Sequence, residues 1–134
     1  MARVLDRLQG PQPPKLIVVD PRRSDTAKQA DVHLAPKNGT NVALLNGLQY
    51  LLFSNGWINE DYVSKHVVGL EDLRTVVNRY TPDVVERITG VPVTQLHQAA
   101  EILGTTSSLL STALQGVYQS NQATASACQI NNIN

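Results

Sequence analysis

The chain has 134 residues, 11 basic against 11 acidic side chains, three histidines and one cysteine, a length that suits one domain, or part of one, with a real core. Balanced charge without like-charge blocks argues against a nucleic-acid partner read through a basic face, and the lone Cys128 excludes an internal disulfide framework or a cysteine-built metal cluster. No apolar run approaches the roughly 18 residues of a bilayer span, and Met1-Ala-Arg-Val-Leu-Asp-Arg-Leu8 is not followed by a signal-peptide apolar stretch.

Residues 1–9 suit a short helix with Val4, Leu5 and Leu8 on one side, ended by Gly10-Pro11-Gln12-Pro13-Pro14. Residues 16–19 are apolar, rich in β-branched side chains and bounded by prolines, which predicts a strand buried on both faces. Pro21 cannot donate to a ladder, so that strand ends at Asp20. Ser24 suits the cap of a short helix reaching about residue 30, with Asp25 well placed against its dipole. Residues 32–35 read as a second strand, stopped by Pro36. Asn38-Gly39 is a turn, and Thr40 or Asn41 then caps a helix over residues 42–54. That helix is apolar nearly all round, as a central buried element is, and Asn55-Gly56 ends it.

The middle reads as helical. Asn59 caps a helix with Tyr62, Val63, His66 and Val67 along one side, and Leu70, Leu73, Val76, Val77 and Tyr80 make the next stripe. Thr81-Pro82-Asp83 starts another helix, which Gly90 stops. Leu96, Ala99, Ala100 and Leu103 form a further stripe ending at Gly104. Residues 108–114 read as a returning strand, and Gly116-Val-Tyr-Gln119 as the loop leaving it. Residues 122–134 have helical spacing but stop without a cap, which suggests a fragment of a longer protein.

The expected architecture is therefore α/β: a Rossmann-like, open and mainly parallel sheet with a multi-helix insertion between the second and third strands. Its parts are a lead-in (1–14), a nucleotide-binding βαβα part (15–56), a helical insertion (57–105), and a returning strand with a truncated helix (106–134). Ligands in such folds bind outside the carboxyl ends of the strands.

The candidate site follows from that rule. Asp20, at the first strand's carboxyl end, suits ribose hydroxyls or the donor edge of a guanine, and equally a turn before proline. Arg22 and Arg23 suit a bidentate grip on phosphate, or a solvated loop with an ion pair to Asp25 or Asp31. Gly39, Thr40 and Asn41 at a helix start offer backbone amides to an anion, or form a capped turn with no ligand. Gln119, Ser120 and Asn121 suit a polar ligand or the cap of the last helix. No G-x-G-x-x-G or phosphate-loop lysine is present. His33, His66 and His97 lack metal-ligand spacing, and Cys128 reads as a small core residue rather than a nucleophile. Glu60, Asp61, Glu71 and Asp72 sit at helix starts, where the dipole accounts for them. No residue set here performs a reaction alone.

Taken in order, Leu16-Ile-Val-Val-Asp-Pro-Arg-Arg-Ser-Asp-Thr-Ala27, Ala30-Asp-Val-His-Leu34, Gly39-Thr-Asn-Val-Ala-Leu-Leu-Asn-Gly47, Tyr80-Thr-Pro82, Ile88-Thr-Gly-Val-Pro92 and Gly116-Val-Tyr-Gln119 resemble one family. It is that of the bis-molybdopterin guanine dinucleotide oxidoreductases, which holds nitrate reductases and formate dehydrogenases. The resemblance runs from about residue 15 to the end. It implies a domain that holds the guanosine end of molybdopterin guanine dinucleotide, with molybdenum in the parent enzyme and an iron–sulfur cluster outside this chain. Asp20 and Arg22 would contact guanosine and phosphate, Gly39 and Asn41 the guanine edge, and Gln119 a pterin or its pyrophosphate. Two positions depart from the family: many members carry aspartate where Asn41 stands, and methionine where Gln115 precedes Gly116.

The resemblance further implies the enzyme's remaining domains and an electron-transfer partner as neighbours, and a cytoplasmic place. The chain is expected to hold the cofactor of an assimilatory-nitrate-reductase-like enzyme without itself catalysing. The alternatives are a formate dehydrogenase alpha-subunit piece or a non-catalytic module that kept the nucleotide fold. Apolar surface left by absent neighbours would promote self-association.

Overall fold

The computed structural model describes residues 6–134. The expected first helix falls partly outside that range; residues 6–8 are helical. Strand β1 (Ile17–Val19) pairs in parallel with β2 (Val32–Leu34), with Ile17 opposite Val32, Val18 opposite His33 and Val19 opposite Leu34. The crossover between them is about the dozen residues that a parallel connection requires. It contains a 3-10 turn (Ala27–Gln29), where a longer cap-and-helix was expected. Ser24 Oγ accepts from the Ala27 amide at 3.4 Å, and buried Ala27 anchors the crossover.

An electrostatic clamp aligns the strand starts. Asp31 accepts from Lys15 Nζ at 2.7 Å and from the Leu16 amide at 2.9 Å, while its own amide donates to the Leu16 carbonyl at 2.9 Å. Pro21 and Pro36 end the strands within two residues.

After the Asn38-Gly39 turn (Gly39 φ +81°) comes helix α1, Asn41–Ser54. Ala43, Leu44, Asn46, Gly47, Leu48, Gln49, Leu51 and Leu52 are all buried, so the helix is enclosed nearly all round, as its sequence predicts. Around it lie α2 (Glu60–His66), α3 (Leu70–Val77), α4 (Pro82–Thr89), α5 (Val93–Thr105), α6 (Gln115–Tyr118) and α7 (Ala123–Ile133). Helices α3, α4, α5 and α7 pack directly on α1, and α5 also packs on β2. Leu34, Leu44, Leu48, Leu51, Val85, Leu96 and Ala99 form one core between these elements. Each leucine sealed there contributes about 1.5–3 kcal/mol of transfer free energy.

Two glycines set the closest approaches. A Cβ on Gly47 would sit 2.4 Å from Val85 Cγ2, so α1 and α4 meet backbone against side chain. A Cβ on Gly104 would sit 2.5 Å from the Trp57 ring. Gly104 therefore packs inside α5 rather than ending it, and the helix runs on to Thr105.

Several expectations are corrected. Only two strands pair among the described residues, so the open multi-stranded sheet reduces to one parallel pair. Residues 108–114 form no strand. Leu114 is extended, but no ladder bond holds the segment, and Leu110 is 85% exposed. An apolar, extended run becomes a strand only by pairing with an edge, and this one pairs with neither outer edge of the β1–β2 pair. The same lack of cover explains β1, which is not buried on both faces: Val19 is 46% exposed. Residues 115–118 form helix α6 instead of a loop. Cys128 is exposed on α7, not a core residue. Tyr80 lies past the end of α3, and Val76 is exposed. Among the described residues no helix is long and apolar enough to cross a membrane.

Gly47→Ala should cost about 1–3 kcal/mol in chemical denaturation, because fully buried Val85 must give way. Unchanged stability would show that α1 and α4 part freely.

The Asp31 carboxyl is held below its ordinary value of 3.8, first by the Lys15 side-chain hydrogen bond and then by the Leu16 amide. A depressed carboxyl stabilises the fold fully above about pH 3.8, and that share is lost as pH falls through the lower folded value. Asp31→Asn should therefore lower the thermal midpoint at pH 7, with the difference closing in strong acid. A difference constant with pH would refute the clamp.

Candidate functional site

The parallel pairing decides where the candidate residues lie. Asp20 follows the last residue of β1, and β2 leads from Leu34 through residues 35–40 into Asn41. Both segments thus leave the same carboxyl edge of the pair, on one side of the molecule.

Three backbone anchors hold that edge. The Asp20 amide continues the ladder by donating to the Leu34 carbonyl at 3.1 Å. His33 Nε2 lies 2.8 Å from the Asp20 carbonyl. The Lys37 amide donates to the Thr89 carbonyl at 2.8 Å, and Thr89 is itself buried, its hydroxyl donating to Val85 and accepting from the Val91 amide. The loop that delivers Gly39 and Asn41 is therefore tied to the end of α4. His33 went unassigned in the sequence. The signal was available in the alternation of β2, where Val32 and Leu34 are buried and His33 between them is not.

Asp20 uses one carboxylate oxygen to accept from the Arg22 amide at 2.8 Å, the expected turn before and after proline. Oδ2 has no partner among the described residues. The acids proposed as partners for the arginines are engaged elsewhere: Asp25 pairs with Lys28 at 2.8 Å and Asp31 with Lys15 at 2.7 Å. Among the described residues Arg22 and Arg23 enter no ion pair, and both are exposed.

Thr40 occupies the cap position of α1 without capping it. Its hydroxyl turns back to donate to the Lys37 carbonyl at 2.7 Å. The first-turn amides of α1 thus receive no side-chain cap, and a helix start of this kind favours negative charge. Gly39 has open space where a Cβ would stand.

Asn41 makes the longest-range contact of the edge: its Nδ2 donates to the Gly116 carbonyl at 3.4 Å. This brings α6 over the start of α1 and adds Gly116, expected in a loop, to the candidate edge. Gln119 follows as the C-terminal cap of α6, exposed, with no described contact to the other four candidates. The structure therefore collects Asp20, Arg22, Gly39 and Asn41 at the strand ends, whereas Gln119 is connected to them only by following Gly116 in the chain. Hollows elsewhere, one of about 410 Å³ beside Asp6 and Gly10 and one of about 200 Å³ beside Ile58 and Arg74, do not touch this edge.

The remaining candidates are accounted for. The His66 ring lies tilted by 45° against Tyr62 with centroids 4.8 Å apart, His97 is exposed on α5, and no metal-holding group of acids, histidines or cysteines occurs among the described residues. Glu60 with Asp61, and Glu71 with Asp72, lie in the first turns of α2 and α3.

No protein-family model matches the chain. Curated relatives do. A formate dehydrogenase H of Escherichia coli is 42% identical over 66% of this chain, and a nitrate reductase of Synechocystis is 40% identical over 87% of it. The chain spans 12% and 16% of their respective lengths. Among solved structures, the acetylene hydratase from Pelobacter acetylenicus superposes with a TM-score of 0.85 at 28% identity, over 89% of this chain and 16% of that one.

Asn41→Asp tests the contact across the edge. It removes the donor and turns a carboxylate toward the Gly116 carbonyl, so amide exchange in residues 106–122 should quicken several-fold while exchange in α4 and α5 stays unchanged. Unaltered exchange in residues 106–122 would make the bond incidental.

Proposed function

The chain belongs to the molybdopterin oxidoreductase family, and from that premise we propose that it is the part of a larger molybdenum oxidoreductase that holds the guanosine end of molybdopterin guanine dinucleotide. The observation that carries this reading is the shared carboxyl edge. One acid with an oxygen and two arginines unpartnered among the described residues, together with an uncapped helix start, leave the same end of a parallel pair.

The donor set fits a nucleotide diphosphate ester. Asp20 Oδ2 accepts from guanosine, and Arg22 grips phosphate through its planar fork. The amides that open α1 face the same negative charge, and Gly39 lets the ligand approach the backbone. With Nδ2 engaged by Gly116, Asn41 has Oδ1 left to accept from the base edge, one acceptor where a carboxylate would offer two. Gln119 stands toward the pterin or its pyrophosphate. When bound, the molybdenum–pterin group supplies the oxygen-atom or electron transfer. This chain orients its tail and shields it from water.

The rest of the enzyme would provide the other walls, the iron–sulfur cluster and the electron-transfer partner. It would also cover Val19, Leu110 and Leu114, whose exposure favours self-association when uncovered. Similarity to the nitrate reductase extends over more of the chain, which favours an assimilatory-nitrate-reductase-like parent. The slightly higher identity to formate dehydrogenase H supports a formate dehydrogenase as the second reading.

Calorimetry on the isolated chain should show GDP bound weakly and in preference to ADP, because half of the walls are lacking. Asp20→Ala should lower GDP affinity by about tenfold, the worth of a hydrogen bond to a charged group, without altering the circular dichroism spectrum. Tighter binding of ADP than of GDP would contradict the assignment.

A further inference from the structure

Beside the apolar contact of Ile133 with the core, helix α7 meets α1 through an amide pair, whereas Leu44, Leu48 and Leu51 belong to the apolar core shared with α4 and α5. Gln49 Nε2 donates to the Leu45 carbonyl and to Gln129 Oε1 on α7, which uses both of its amide protons. Gln49 Oε1 nevertheless has no partner among the described residues. Neither has Asn46 Oδ1, one turn earlier on α1, nor Ser126 Oγ, one turn earlier on α7. Asn46 is 1% exposed, Gln49 3% and Ser126 0%.

Two contacts tie residues 116–129 to α1. Asn41, at the start of α1, reaches Gly116 ahead of α7, and Gln49, two turns on, reaches Gln129 within α7. Asn46 lies one turn before that second contact on α1, and Ser126 one turn before it on α7. Three buried oxygens without partners among the described residues thus lie at the Gln49–Gln129 contact or one turn before it in sequence.

We propose that this seam binds one water molecule, held by Asn46, Gln49 and Ser126. The arithmetic of donors and acceptors closes. Two amide oxygens accept the two water protons, and the Ser126 hydroxyl donates to the water oxygen. A cation suits the seam poorly, since three neutral oxygens with no carboxylate neither complete a coordination shell nor balance charge. The consequence is mechanical. The joint that holds α7, and through α6 the Gly116 carbonyl, against the start of α1 is a hydrated one. This inference stands apart from the cofactor reading.

Ser126→Ala, in the protein that carries this chain, gives a test by sign. A hydroxyl bonded to water stabilises the seam, so its loss should speed amide exchange in α7 about fivefold, the worth of one ordinary hydrogen bond. A hydroxyl orphaned in a dry seam costs stability, so unchanged or slower exchange overturns the proposal. A crystal structure supplies the second readout. A water oxygen within 3.5 Å of all three atoms is expected. Direct bonding of Ser126 to either amide oxygen, or an anomalous peak there after a rubidium soak, overturns it.

Discussion

The enclosure of α1 is the constraint on which the rest depends. A helix apolar nearly all round has no face for water, so the chain must wrap it, and α3, α4, α5 and α7 do so. Wrapping leaves only its ends exposed. The end that matters is the first, because β2 feeds it through a six-residue loop, residues 35–40, and points it at the carboxyl edge of the strands. The burial that stabilises the domain thus also aims an uncapped helix start at the candidate site.

The strand pair adds precision at both ends. At its start, Asp31 joins Lys15 and Leu16, so the register cannot slip without breaking three bonds. At its finish, His33 holds the Asp20 carbonyl, and the Lys37 amide is pinned to Thr89. These anchors act on backbone atoms. The side chains that a ligand would meet, Asp20 Oδ2, Arg22 and Arg23, are left without partners among the described residues. A rigid backbone carrying unengaged polar groups is the arrangement that pays least in ordering when a polar ligand arrives.

Residues 106–134 are joined differently. They reach α1 through Asn41 with Gly116 and Gln49 with Gln129, with Ile133 the apolar contribution to the core. Within them, residues 106–114 have neither ladder nor helix, and Leu109, Leu110 and Leu114 are exposed. Segments fixed by few buried apolar contacts open at lower free energy than the core they rest on. The site therefore combines a rigid side, from the strands and α1, with a more loosely held side, from α6 and Gln119.

By itself, the sequence determined those features whose cause lies within a few residues. Pro21 and Pro36 stop strands, Gly39, Gly56 and Gly90 turn the chain, Asn59 caps α2 by accepting from the Tyr62 amide, and the all-round apolar pattern of residues 42–54 marks the central helix. The ordered series of motifs that these residues form also identified the family. Tertiary structure decided whatever needs a neighbour. An extended run at residues 108–114 is no strand without an edge to join, Gly104 is a helix stop only until Trp57 packs on it, and Cys128 lies outside because α7 turns Ser126 inward. Asn41 found Gly116 across 75 positions of sequence, and His33 found Asp20 across 13. Dihedral preference and periodicity are local and can be read along a chain. A partner for a hydrogen bond, or a wall for a side chain, exists only once distant segments have met.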